Sequence, residues 1–139
     1  MGLSRVLVVE ERFEYKGFPC VVMFNPLGFR TGYVGLPKGH KYYGKHYESI
    51  DIVCHGGLTY GRDSLYGQDD SDIWWIGFDC GHWGDGYDTE SLEKYYGNTF
   101  VDRVMDDYRK LMNEEFEFRT VDYVKAECMA IVDQLCLEV

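Results

Sequence analysis

The chain has 139 residues, with 24 acidic against 14 basic residues, a formal charge of −10 and a hydrophobic share of 45%. The length suits one domain, the apolar share excludes a disordered chain, and the pattern is neither a coiled coil, a repeat array nor collagen-like. The acidic balance also argues against nucleic-acid binding, which needs a basic surface to neutralise phosphates.

In chain order, Arg5 to Glu10 is short and β-branched and reads as a strand. A second strand is expected over Phe13–Phe24, bent at Gly17-Phe18-Pro19, because Pro19 cannot donate to a ladder and belongs at an edge or turn. Asn25-Pro26-Leu27-Gly28 reads as a turn, and Phe29–Leu36 as a third strand completing an antiparallel meander. Residues 37–49 interleave Lys, His and Tyr and read as an exposed loop. The apolar run Ile50–Cys54 reads as a strand that leads into His55-Gly56-Gly57, and residues 61–72 are polar and rich in Gly and Asp. Ile73–Phe78 is the most apolar run and is expected to be a central strand, followed by a glycine-rich loop over 79–88.

The last third is helical in pattern. A short helix is expected over Glu90–Tyr96, ended by Gly97. Thr99-Phe-Val-Asp102 has the form of a capping box, and Val101, Val104, Met105, Tyr108, Leu111 and Met112 then share one face up to Asn113. Thr120 caps a final helix whose stripe is Val121, Val124, Cys128, Ile131, Val132 and Leu135. The fold class expected is a single α+β domain over 1–139, mainly β over 1–88 and helical over 89–139. It is an antiparallel meander packed on one face by two or three C-terminal helices.

The five cysteines, at positions 20, 54, 80, 128 and 136, form an odd and irregular set that makes a poor disulfide framework. Cys128 and Cys136 on one helix stand about 12 Å apart, beyond the roughly 7 Å that a bridge spans. All five are expected to be thiols in a reducing cytoplasm. Neither a secretory leader nor a membrane-spanning run is visible, so a cytoplasmic protein with no membrane partner is expected.

Three features carry possible chemistry. The paired glycines of His55-Gly56-Gly57-Leu58-Thr59-Tyr60 permit positive φ and can present amides to an anion, or simply make a tight turn. Asp79-Cys80-Gly81-His82-Trp83-Gly84-Asp85 places a thiol, a histidine and carboxylates together. If the strand continued through Cys80, then Cys80 and His82 would face one side and Asp79 the other. His55, Cys80, His82 and Asp85 are therefore candidate catalytic residues, with His55 the better base for Cys80. A metal site is the competing use, and a buried structural thiol with loop histidines is the plain one. The spacing is no zinc signature, so neither metal nor cofactor is assigned.

The third feature is charge asymmetry. Residues 63–90 hold seven Asp and one Glu with no Lys or Arg, whereas 30–45 hold four basic residues and no acid. Asp69, Asp70, Asp72, Trp83, Asp85 and Asp88 are the candidate binding residues, an acidic and aromatic loop suited to a cationic protein groove. A solvated acidic face that serves solubility is the alternative.

In Gly32-Tyr-Val-Gly35, His55-Gly-Gly-Leu-Thr-Tyr60 and Trp74-Trp-Ile-Gly-Phe-Asp-Cys-Gly-His82, followed by Gly84-Asp85, the sequence resembles a family of small, mostly uncharacterised proteins encoded by phages, prophages and other mobile elements. The resemblance spans roughly residues 26–88 and leaves out the helices after Ser91. It implies a cytoplasmic protein made in an infected bacterium, and a shared centre of His55, Asp79, Cys80, His82 and Asp85. By analogy it points to a counter-defence factor of the anti-CRISPR type. Such a factor binds a host defence protein, an effector nuclease, through an acidic surface and touches no nucleic acid directly. A small metal- or thiol-dependent hydrolase, a protein that sequesters a nucleotide signal on the His55 turn and the 38–45 loop, and an oligomeric assembly protein are the alternatives.

Overall fold

A computed structural model describes residues 7–66, 72–97 and 100–137. Asp69, Asp70 and Thr99, which the sequence singles out, lie outside them. The described strands are β1 (Val8–Tyr15), β2 (Phe18–Phe24), β3 (Arg30–Pro37), β4 (Tyr60–Arg62) and β5 (Ile73–Asp79), and the helices are α1 (Thr89–Tyr96), α2 (Phe100–Glu115) and α3 (Val121–Leu137). The five strands form one sheet in the order β1-β2-β3-β5-β4 with every pairing antiparallel. The α+β class is therefore as expected. The meander holds only through β3, because β5 inserts between β3 and the short β4.

The expected first and second strands are divided differently. Phe13–Tyr15 belong to β1, and the chain reverses at Lys16-Gly17, both at positive φ, before β2 begins. Pro19 sits one residue into β2, an interior strand, beside the hairpin turn and opposite Glu14. A bulge between Val9 and Glu11 shifts the β1 register. The 51–54 run is not a strand. It follows a single 3-10 turn at Tyr47–Ser49 and buries Ile50 and Ile52 in irregular backbone.

Period-two alternation divides the strands between two buried faces. Cys20, Val22, Val34, Leu36, Ile76, Phe78 and Cys80 face α3, which supplies Val124, Cys128, Ile131, Val132 and Leu135. Burying each large aliphatic side chain stabilises the fold by about 1.5–3 kcal/mol. Val21, Met23, Tyr33 and Trp75 face the other way and are covered by Leu65, Tyr60 and Tyr66. Gly77 permits the tight β3–β5 crossing. A Cβ there would stand 2.4 Å from Tyr33 Cδ1 and 2.7 Å from the Gly32 carbonyl oxygen.

α3 begins as expected, with the Thr120 hydroxyl accepting from the Tyr123 amide at 3.1 Å. α1 is capped by Asp88 and closed by Gly97 at φ 74°. α2 departs from expectation. Among its described side chains Met105, Tyr108 and Leu111 are exposed and Arg109 is the one buried, while Val101 and Val104 of the expected stripe lie outside them. α3 covers one sheet face, and no described side chain of α2 joins the core there. α2 is tied instead by polar contacts. Arg109 Nε donates to the Leu27 carbonyl at 3.2 Å, and the Asn113 amide both accepts from the Tyr87 N–H and donates to the Tyr87 carbonyl. It also runs two residues past Asn113, to Glu115.

Candidate functional site

Beyond β5 the chain turns sharply. The Cys80 amide donates to the Arg30 carbonyl at 2.9 Å, and Asp79 Oδ1 accepts from the Gly81 amide at 3.0 Å. The strand therefore ends at Asp79, and the alternation expected through His82 does not occur. His82 folds back so that its Nε2 lies 3.1 Å from Asp79 Oδ1. That nitrogen is screened from solvent and makes no aligned hydrogen bond there. The ring lies on Gly56, whose φ is +69°, and a Cβ there would stand 2.4 Å from it. Gly56 thus serves a close approach to the His82 ring, whereas Gly57, at φ +82° with open space beside it, turns the chain and donates its amide to the Cys54 carbonyl at 2.9 Å.

Asp85 is the hub. It is 5% exposed. Its carboxylate lies 2.9 Å from His55 Nε2 through both oxygens, accepts from Arg119 Nε at 2.9 Å and accepts from the His82 amide at 3.1 Å. The other ring nitrogen of His55, Nδ1, is 2.8 Å from the Tyr123 hydroxyl, and the His55 amide donates to Glu127 at 2.8 Å. The Asp85 hydrogen bond raises the Arg119 guanidinium pKa and keeps it charged. Burial raises the Tyr123 phenol, with Glu127 adding to it.

The structure therefore brings His55, Asp79, His82 and Asp85 into one neighbourhood, with the two imidazole rings 6.3 Å apart. Cys80 is placed in the core beside them. It is 1% exposed and packs among the α3-facing core residues. Burial, with help from Asp85 and Asp79, pushes its thiol far above the range of a reactive cysteine. Among the described residues no group of three or more His, Cys, Asp or Glu side chains is placed to hold a metal ion.

Asp85 and Asp88 do not belong to an exposed acidic rim. Asp88 is 6% exposed and accepts from the Ser91 amide and hydroxyl, and its Oδ2 lies 2.9 Å from Arg30 Nη1. Burial alone would raise its carboxyl. The Ser91 and Arg30 contacts outweigh burial and hold it below the ordinary value. Arg30, itself 4% exposed, forks onto Glu10 at 2.7 and 3.1 Å and donates to the Arg119 carbonyl at 3.1 Å. Buried carboxylates need such partners, and here those partners are the arginines. Of the remaining candidates, Asp72 is exposed and 3.9 Å from Lys38.

Trp83 sits at the tip of the loop between Asp79 and Asp85 and is 79% exposed. Its ring meets Phe116 edge-on at 5.3 Å, which joins the loop to the end of α2. Along α2 and the segment after it Tyr108, Leu111 and Phe118 are exposed, as are Asp107, Glu114, Glu115 and Glu117. Sequence reasoning missed Glu10, Arg30, Arg119 and Tyr123. Each is a lone polar residue in an ordinary strand or helix-start context, and only the tertiary fold shows that they close on Asp85 and Asp88. Phe118 and the exposed acids of α2 and its following segment were also missed, since the sequence reading ends that helix at Asn113 and assigns its face to the core.

No protein family matches the chain, and neither a curated protein nor a solved structure matches it. Among the described residues no helix is long and apolar enough to cross a membrane.

Proposed function

We propose that the protein acts by binding: a counter-defence factor of a phage or other mobile element that inhibits a nucleic-acid-targeting effector by occupying a cationic protein surface. One observation carries this reading. Trp83 is almost wholly solvent-exposed, yet it stands two residues from Asp85, whose carboxylate is held by His55, Arg119 and the His82 amide. A large aromatic residue held ready on a pinned loop loses little conformational entropy on docking, and tryptophan is enriched among residues that dominate interface energy.

The acidic part of the surface is supplied by α2 and the segment after it, through Asp107, Glu114, Glu115 and Glu117, while Asp85 and Asp88 hold the scaffold. That distribution supports steering towards a basic groove. A thiol hydrolase fits less well, because Cys80 is sealed in the core.

The test is a plasmid-interference assay in bacteria carrying one nucleic-acid-targeting nuclease effector at a time. Wild-type protein restores plasmid uptake against a susceptible effector, and Trp83→Ala, with an unchanged thermal midpoint, loses that protection at least tenfold. Full protection by Trp83→Ala overturns the reading.

A further inference from the structure

Beside the Trp83–Phe116 junction lies a cavity of about 480 Å³ between the start of α1 and the segment linking α2 to α3. Three rings, those of Tyr87, Phe116 and Phe118, line it together with Glu90 and Glu117. Three of its other polar side chains are already engaged. Asn113 clasps the Tyr87 backbone, Asp88 is held by Ser91 and Arg30, and the Thr120 hydroxyl caps α3. Among the described residues neither Glu90 nor Glu117 has an ion-pair partner, and no Lys or Arg lines the cavity.

We infer that this cavity receives an arginine side chain of the protein partner, an inference that rests on the binding function proposed above. Aromatic faces attract a cation through their quadrupole, and two carboxylates without cationic partners exclude an anion and disfavour a neutral group. The planar guanidinium stacks on a ring while its fork reaches a carboxylate, which the compact, strongly hydrated lysine ammonium does less well. The position fits the role, since a residue entering here lies alongside Phe116, against which Trp83 rests.

The experiment titrates the full-length protein with N-acetyl-arginine N-methylamide at low salt and follows backbone amide NMR shifts. The citrulline and lysine analogues serve as comparisons. Saturable shifts centred on residues 86–90 and 113–120 are expected, with affinity at least tenfold weaker for the uncharged citrulline analogue and several-fold weaker for lysine. Phe118→Ala, and independently Glu90→Gln with Glu117→Gln, should each weaken arginine binding at least fivefold; the glutamine pair guards against a folding defect in the phenylalanine variant. Absence of saturable shifts, or equal binding of the arginine and citrulline analogues, overturns the inference while the Trp83 protection result stands. Loss of the protection result with arginine binding intact removes the inhibitor reading alone.

Discussion

Arg119 Nε donates to Asp85 Oδ1 at 2.9 Å across 34 residues of sequence, and this contact fastens the Trp83 loop to the residue just before the Thr120 cap of α3. His55 approaches the same carboxylate from the glycine turn. Three separate segments therefore meet on one buried charge, and the surface they display depends on that charge staying paired.

Arg119→Met should expose this dependence. It leaves Asp85 with His55 and the His82 amide, and urea unfolding should show a loss of about 3 kcal/mol. That is the low end for breaking a buried pair, because Arg119 is itself partly exposed. Arg119→Lys should recover part of the loss, since it restores the charge without the planar fork.

Acid sensitivity should trace to Asp88. Its folded pKa lies below the unfolded value of 3.8, so its contribution is complete above that value and is lost as pH falls through the lower folded value. Stability measured by urea midpoint between pH 5 and 2 should therefore fall on the acid side of about pH 4. Asp88→Asn should start lower and show a shallower acid slope over the same window.

The thiols should divide sharply in a reaction with an aromatic disulfide reagent. Cys20, Cys80 and Cys128 are buried; burial pushes the Cys20 thiol up to about 12 and raises the other two as well. Cys54 is half-buried and pushed up to about 12, first by burial. Cys136 is exposed. The native protein should release one equivalent rapidly at pH 8, Cys136→Ser should abolish that phase, and urea should make all five thiols reactive.

Fluorescence should report the display of Trp83 directly. Trp75 is 2% exposed and Trp83 is 79% exposed. Trp83→Phe should remove most acrylamide-quenchable emission and shift the remaining spectrum to the blue. Gly56→Ala, which sets a Cβ at positive φ against the His82 ring, should destabilise the fold by about 1–2 kcal/mol.

Features set by local periodicity were legible from the sequence. The α3 stripe, the Gly97 stop and the central position of β5 follow from spacing and β-branched content, because each concerns one segment meeting one face. The α2 stripe was misleading for the same reason. Its period is helical, but whether an apolar stripe is buried depends on what already covers the sheet. The candidate site was half legible. The proximity of His55, His82 and Asp85 was anticipated through a resemblance, whereas the arginines that neutralise Asp85 and Asp88 lie far along the chain and carry no local signature. Asp85 and Asp88 of the aspartate-rich stretch thus became scaffold residues in space, Asp72 stayed exposed, and further exposed acids came from α2 and the segment after it.

The strand order has a consequence for synthesis. During translation the hairpin of β1 and β2 with β3 can assemble early, but the inner position beside β3 stays vacant until residue 79 has emerged, and β4 has nothing to join before then. The hydrophobic underside then waits for α3, which leaves the ribosome after all five strands. A nascent chain of this kind carries an unsatisfied ladder for much of its synthesis, so its yield should depend on chaperone supply and growth temperature more steeply than its finished stability would indicate.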